Sequence, residues 1–466
     1  MIPSILRRRL PVVSHAPPSA EAAVRTVATA RPAQAATDPN PSSGPAPRPA
    51  NPLGETPSMR THARTADRRG FGLAIGGIIL TMASASAPSL FYPQLAEQLS
   101  LPPVATTAVF AVYAFTMLAT LLFMGPLSDT RGRRPVVTVG ALLLAASLVL
   151  FRRSGSLALL LVARSLQGVA AGLLIPALSA VAVDFEPPHR PGRAALWNTI
   201  APMMGLGAGA MTAALLLDAT ANPMGAVFGT LTGLSLLTAV LVWLVPESSG
   251  KKPASAAPVR PRFRASPRLR GVLLVAAPAI VAGSATNGLF LALGAGLVKS
   301  EFGAVTHTQA GTVILTLAVS GILASQLVAR RSSRVITVYG TSALAIGTVL
   351  SLAALAAHSF SAYLATVVIV GSGFGTSFMG ALRTLMPHTV PAERAAVMGV
   401  IYSISYLALG VPTIVAGLLV PVLTVQGAMA VLGVAIAVLS VVATIARLRL
   451  RSEEPVREPS TAARQP

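Results

Sequence analysis

Long, uninterrupted apolar blocks recur along this chain, and nothing else in it restricts the fold so severely. Each runs to about 20 residues, the length of helix that crosses the roughly 30 Å hydrocarbon core of a bilayer. A backbone in lipid has no water to bond, so only helices and closed barrels can span it. The blocks are continuous rather than alternating at every second residue, which excludes barrel strands. Composition agrees. Of 466 residues 53% are hydrophobic and 11% charged, too little charge to solvate the surface of a soluble protein of this length.

Twelve blocks read as spans: 71–91, 105–124, 135–151, 157–183, 194–217 and 225–245, then 271–298, 308–329, 335–357, 362–382, 395–419 and 426–445. A basic stretch at 246–270, with Lys251, Lys252, Arg260, Arg262, Arg264, Arg268 and Arg270, divides them six and six. The expected domains are therefore helical bundles at 71–245 and 271–446, joined by that linker and followed by a tail at 447–466. Residues 1–70 are rich in Pro, Ala and Arg without apolar periodicity, so disorder is expected there. Pro11, His15, Pro17 and Pro18 interrupt what would be the apolar core of a signal peptide after Arg7–Arg9. Translation from Met59 is the simplest expectation, leaving Arg60, Arg64, Arg68 and Arg69 before the first span.

The net charge of +21 invites a nucleic-acid reading, but the arginines lie between the blocks and in the tails. That is the pattern of membrane topology rather than of a binding face. Arg131, Arg133, Arg134, Arg190, Arg193, Arg330, Arg331, Arg334 and Arg394 fall in connections on one side, against Arg152, Arg153 and Lys299 on the other. The positive-inside bias then puts both termini in the cytoplasm of a plasma (inner) membrane protein. The chain has no cysteine, which removes disulfides, thiolate chemistry and Cys-ligated metals. His189, His307, His358 and His388 lie in loops or at span edges without ligand spacing, so they read as solvated or interfacial, and no metal or cofactor is expected.

The two sets of six repeat one another. Gly168–Gly172 and Gly371–Gly375 share their spacing, and each precedes a polar, proline-containing loop and then Arg193-Ala-Ala or Arg394-Ala-Ala. The second glycine pair follows the first by 203 positions and the second arginine follows by 201. A duplicated six-helix unit is the plan of transporters that rock two bundles about a site near the midplane. These glycine runs lie in apolar helices rather than strand-to-helix turns, so they are not nucleotide loops.

Between spans two and three stands Gly125-Pro-Leu-Ser-Asp129-Thr-Arg131-Gly132-Arg133-Arg134-Pro135. Gly125 would permit close helix approach, and Gly132 with Pro135 a tight turn into the next helix. Asp129 can pair with the nearby arginines or with a helix N-terminus. An inside-positive hairpin would explain the arginines but not the Gly-Asp-Gly spacing. The segment resembles the loop signature of the major facilitator superfamily. The resemblance implies an all-α membrane fold of twelve transmembrane helices in two pseudo-symmetric six-helix bundles. It also implies that Gly125, Asp129, Arg131, Gly132, Arg133 and Arg134 form a cytoplasmic conformational latch against span eleven. The second-half loop, Arg330-Arg-Ser-Ser-Arg334, keeps the charge and loses the Gly and Asp, so the same latch is not carried over to it.

Arg164 lies seven residues into span four, hence roughly 10 Å deep. An intramembrane arginine defaults to a functional hypothesis, with a side chain snorkelling to the headgroups as the alternative. Gln167 and Gly168 follow as in the span-four motif of the superfamily, where the arginine is implicated in proton transfer or cavity charge. Span five carries Asn198, Pro202, Gly205, Gly207 and Gly209, a partial match to the Gly-Pro motif of the drug-antiporter branch. Small-residue helix packing explains the glycines equally well. By resemblance spans one, four, seven and ten line a cavity, making Ser84, Ser86, Arg164, Gln167, Asn287, Ser372 and Thr376 candidates, with Tyr113 from span two and Asn198.

All fifteen acids fall in tails, loops or span ends. Proton-coupled antiporters often carry a mid-depth carboxylate, so its absence argues against a pump for cationic drugs and for a neutral or anionic solute facing Arg164. The expected function is secondary active transport of a small organic solute by alternating access, as proton-coupled export. The rivals are an uptake permease or facilitated uniporter for a nutrient, and a non-transporting receptor or membrane-integral enzyme. An enzyme would need a convergent nucleophile, base or metal set, and the spans offer none. The expected partners are the solute, protons and the lipid bilayer, with no nucleic acid, and the chain is expected to act as a monomer.

Overall fold

The computed structural model describes the backbone of residues 57–125, 127–248, 267–303, 306–389 and 394–449. The expected linker core, the C-terminal tail beyond 449 and residues 1–56 lie outside these.

Eleven described helices are long and apolar enough to cross a bilayer. They are span one (Pro57–Ser86), two (Pro103–Met124), three (Arg133–Arg152), four (Leu157–Asp184), five (Arg193–Ala219), six (Pro223–Leu241), seven (Pro267–Phe302), eight (His307–Leu327), nine (Ser333–Ala356), ten (Phe360–Leu385) and a final helix at Arg394–Arg449. That last element has 56 residues, about 80 Å at 1.5 Å each, more than twice what one crossing needs. It breaks at Thr424, whose φ of 65° is non-helical. Thr424 then restarts the helix by accepting the Gly427 N–H at 3.3 Å, as an N-cap residue does. The break yields spans eleven and twelve where they were expected, and the count of twelve stands.

Two boundaries change. Residues 57–70 were expected to be disordered, but span one is helical from Pro57. Proline suits a first helical turn, and a helix already nucleated by its apolar part extends readily through Ala, Met and Arg. At its other end span one stops at Ser86 rather than continuing to Phe91 and gives way to a 3-10 turn, Ala87–Leu90, and a short helix, Tyr92–Gln98.

The repeat is visible as packing. A Cβ at Gly168 would sit 2.5 Å from the Tyr113 carbonyl oxygen, and one at Gly371 would sit 2.5 Å from that of Leu317. Span four thus lies against span two as span ten lies against span eight. Gly205 and Gly209 abut the backbone of span one, and Gly207 faces Leu315 and Ala318 of span eight. The packing reading of the span-five glycines accounts for their positions. The halves meet along spans five and eight and along spans two and eleven, where Gly410 abuts Phe115.

Candidate functional site

The break in span one decides what surrounds Arg164. Pro88 has no N–H. In an α-helix that N–H would serve the Ser84 carbonyl, and in a 3-10 turn the Ala85 carbonyl. Both carbonyls are buried and need other donors. Gln167 Nε2 donates to Ser84 O at 2.8 Å, and Arg164 Nη1 donates to Ala85 O at 3.0 Å. The two side chains are joined, Arg164 Nη1 donating to Gln167 Oε1 at 2.6 Å. Arg164 Nε donates to Tyr92 Oη at 2.8 Å, and Nη2 bonds the same hydroxyl.

The guanidinium carbon lies 5.4 Å from the ring centroids of Tyr92 and Phe151, 5.5 Å from Tyr113 and 6.0 Å from Phe110. All are within cation–π range. Arg164 and Gln167 are both 0% exposed. Among the described residues no carboxylate pairs with Arg164, so its charge is balanced by dipoles and ring faces. The side chain therefore neither snorkels nor faces a cavity in this state. The expected charged surface for a neutral or anionic solute is not offered.

Of the other cavity candidates, the structure brings to this cluster the Tyr113 ring and, through its carbonyl, Ser84. Tyr113 packs with Ala85, Met117 and Ala171, and Tyr406 of span eleven closes on them. Asn198 donates to Ser179 O at 3.3 Å and buries its Oδ1 without a partner. Asn287 is half-buried and bonds to no described residue. Ser84 Oγ is buried and unpartnered, whereas Ser86, Ser372 and Thr376 bond carbonyls of their own helices. Tyr92, Phe110, Phe151 and the Pro88 break were not singled out in the sequence. Their signal was Pro88 and Pro93 flanking Tyr92 inside an apolar block.

At the arginine-rich end the span two–three loop forms a short helix, Leu127–Arg131, followed by Gly132 with φ of 105° and then span three. Only glycine adopts that φ freely, so the expected tight turn is there. The first free N–H groups of span three are taken by Glu247, beyond span six: Arg133 N to Oε1 at 2.9 Å and Arg134 N to Oε2 at 3.1 Å. A carboxylate at a helix N-terminus also complements the dipole. Arg134 Nε donates to Val245 O at 2.5 Å. Arg133 contacts Asp184, at the end of span four, at 2.5 Å and Asp129 at 3.4 Å. Neither contact is aimed as a hydrogen bond. Arg131 is exposed, and the Asp129 side chain is 58% exposed.

The ties described for this loop run to the ends of spans four and six. The side chains that begin span eleven, 394–396, lie outside the described residues. Gly125 departs from expectation: among described atoms its Cβ would meet only the Leu121 carbonyl of its own chain, not a neighbouring helix.

At the arginine-poor end polar bonds cross between the halves. Asp218, closing span five, accepts from His307 N at 2.9 Å and Thr308 N at 2.8 Å, the first amides of span eight. It also accepts from Thr308 Oγ1 at 2.6 Å and contacts His307 Nδ1 at 2.8 Å. His307, expected to be solvated or interfacial, is part of this bracket. Glu97 pairs with Lys299 at 2.5 Å. Beside them lies a cavity of about 250 Å³ lined from both halves, including Leu90, Gln94, Val298 and His307.

Residues 73–411 match the sequence profile of the Major Facilitator Superfamily. The chain belongs to the major facilitator superfamily. This superfamily chain is accordingly a multi-pass membrane protein of twelve helices. It is 44% identical over 80 residues to the multidrug resistance protein MdtL of Shewanella sp. (strain ANA-3), covering 17% of this chain and 20% of that protein. To MdtL of Salmonella schwarzengrund it is 30% identical over 176 residues, 38% of this chain and 43% of the relative. The chain thus spans less than half the length of these curated relatives. Among solved structures it is similar to the Escherichia coli xylose transporter XylE in a partially occluded inward-open conformation, at TM-score 0.64 and 14% identity, covering 82% of this chain and 97% of that one. The human organic anion transporter MFSD10 matches at TM-score 0.56 and 17% identity, over 82% and 99%. At these identities the likeness is one of fold.

Proposed function

We propose that this superfamily member is a secondary active transporter that exports a small, uncharged organic solute by alternating access, coupled to protons, with its arginine-rich end and both termini in the cytoplasm. The observation that carries the proposal is the set of bonds between halves at the arginine-poor end. The Asp218 bracket and the Glu97–Lys299 pair hold that end shut, and any state open there must break both. The multidrug names of the partial relatives support export. The uncharged character of the solute is supported by what the interior offers, namely the phenols of Tyr113, Tyr406 and Tyr402, a span-eleven ring 6.5 Å from that of Tyr406, and the Asn287 amide. Among the described residues every carboxylate lies at a span end or in a loop, and Arg164 is sealed.

That placement of acids also favours a second reading, facilitated movement without a coupling ion, because no described mid-depth group is suited to hold a proton. Proteoliposomes with a pH gradient imposed in either sense separate the two. Export predicts accumulation of a fluorescent efflux substrate that reverses with the gradient, and gradient-independent flux would defeat the coupling. Absence of flux would favour a receptor. The chain lacks cysteine, so a Glu97→Cys/Lys299→Cys variant tests the mechanism directly. Joining the two thiols with a short reducible cross-linker should stop transport, and reduction should restore it. Undiminished transport in the cross-linked protein would sink alternating access through this end.

A further inference from the structure

The arginine-rich ends of the two halves are built on one plan, but the first half sets carboxylates among its arginines and the described residues of the second do not. Arg133 and Arg334 are 201 positions apart, as are Glu247 and Leu448. In the first half the N-terminus of span three and its arginines meet the carboxylates of Glu247, Asp184 and Asp129. In the second half, among the described residues, Arg334 Nη2 finds only the Leu448 carbonyl at 3.1 Å, and Arg383 Nη1 only the Ala329 carbonyl at 2.6 Å. Arg447 stands beside Leu448, close to where the first half supplies Glu247. It is 7% exposed, and among the described residues its Nε is buried without a partner and its Nη2 reaches only Ser333 Oγ at 3.2 Å.

Span nine begins at this point with Ser332 accepting the Val335 N–H and, among the described residues, no acid at its N-terminus, while Arg330, Arg331 and Arg449 lie exposed nearby. A guanidinium removed from water without a counter-charge is costly. Among the described residues every element here presents cations or a helix N-terminus, whose amides favour an anion. We propose that Arg334, Arg447 and the start of span nine form a binding site for the phosphate of an anionic phospholipid, which supplies the negative charge that Glu247 supplies in the first half. The site lies at the headgroup end of spans nine and twelve, where basic pockets between helices take such lipids.

The test uses the full chain in a neutral detergent, titrated with phosphatidylglycerol, phosphatidylcholine or inorganic phosphate and followed by thermal melting and native mass spectrometry. Phosphatidylglycerol should bind and raise the melting temperature, and phosphatidylcholine should not. Arg334→Gln, whose exposed side chain makes one bond to a carbonyl, should weaken half-saturation about fivefold, with a similar loss in Arg447→Gln. Arg152→Gln, at the opposite end, should leave it unchanged. Unaltered phosphatidylglycerol binding in Arg334→Gln, even if Arg447→Gln fails to fold, would overturn the site. Saturation by millimolar inorganic phosphate that displaces the lipid would reassign it to a free anion. Lipid binding that appears only after truncation beyond Arg449 would give the site instead to the tail carboxylates Glu453 and Glu454.

Discussion

The two halves differ most where their counterparts can be set side by side. Span one is broken by Pro88, and span four answers with Arg164 and Gln167 bonded to the carbonyls at the break. Span seven runs unbroken from Pro267 to Phe302. At the positions of span ten that match Arg164 and Gln167, displaced by 203, stand Val367 and Val370, both buried. The break and the polar pair are present together in one half and absent together in the other. This covariation between halves of a single chain identifies the pair as a cap for a helix that proline interrupts. Arg164 is fully buried behind span one and the rings of Tyr92, Phe110, Tyr113 and Phe151, so a solute or proton reaches it only when this packing opens.

The largest expected effect comes from making the first half resemble the second at this point. Arg164→Leu orphans the Ala85 carbonyl, the Tyr92 hydroxyl and the Gln167 amide oxygen, each buried group costing about 1–3 kcal/mol. A loss of roughly 3–5 kcal/mol in reversible detergent unfolding is expected. Pro88→Ala returns an N–H to the chain, so Arg164→Leu should cost less in that background, with a coupling of about 1 kcal/mol or more. Equal costs in both backgrounds would mean that the arginine does not serve the break.

The helices, their number and the six-plus-six division were legible because lipid imposes one length and one periodicity on every span. The loop motif and the repeat were legible because glycine and proline act locally, at Gly132 and Gly168 for example. The partners of the motif were not. Asp184, Glu247 and Asp218 each close a span, and a sequence shows that they lie at an end without showing which neighbour's amides they face. Arg164 stood out as an intramembrane cation, but its burial depended on a break in another helix more than 70 residues away. The extension of span one to Pro57 was missed because a polar segment next to an apolar helix can inherit its nucleus.

A middle-sized effect separates the two loops. Glu247→Ala removes the carboxylate that receives the Arg133 and Arg134 amides, at about 1–2 kcal/mol for a lost cap. Leu448→Ala, at the corresponding position, leaves its carbonyl in place for Arg334 and trims a side chain that is 48% exposed. It should stay within about 0.5 kcal/mol of the parent. Thermal melting of the purified variants reads both. Near-equal losses would show that the carboxylate does no more for its helix than a backbone oxygen does.

The smallest stability effect is expected at the residue with the most specific sequence signal. Asp129 meets Arg133 at 3.4 Å with its own side chain 58% exposed, and exposed pairs of this kind contribute about 0–1 kcal/mol. Asp129→Asn should therefore melt within about 1 kcal/mol of the parent. The loop would stay in place, because Asp184 and Glu247, not Asp129, tie it to its neighbours. An acid that contributes so little to this state is free to act in another. If it engages span eleven when the arginine-rich end closes, the transport rate in proteoliposomes should fall several-fold while solute binding persists. No such acid exists in the second-half loop, where the matching position 201 residues on is the exposed Arg330, so Arg330→Gln there should change neither quantity appreciably. Transport that survives Asp129→Asn intact would leave the Gly125–Pro135 segment as a folded hairpin, with Gly132 and Glu247 its working parts and no latch in it.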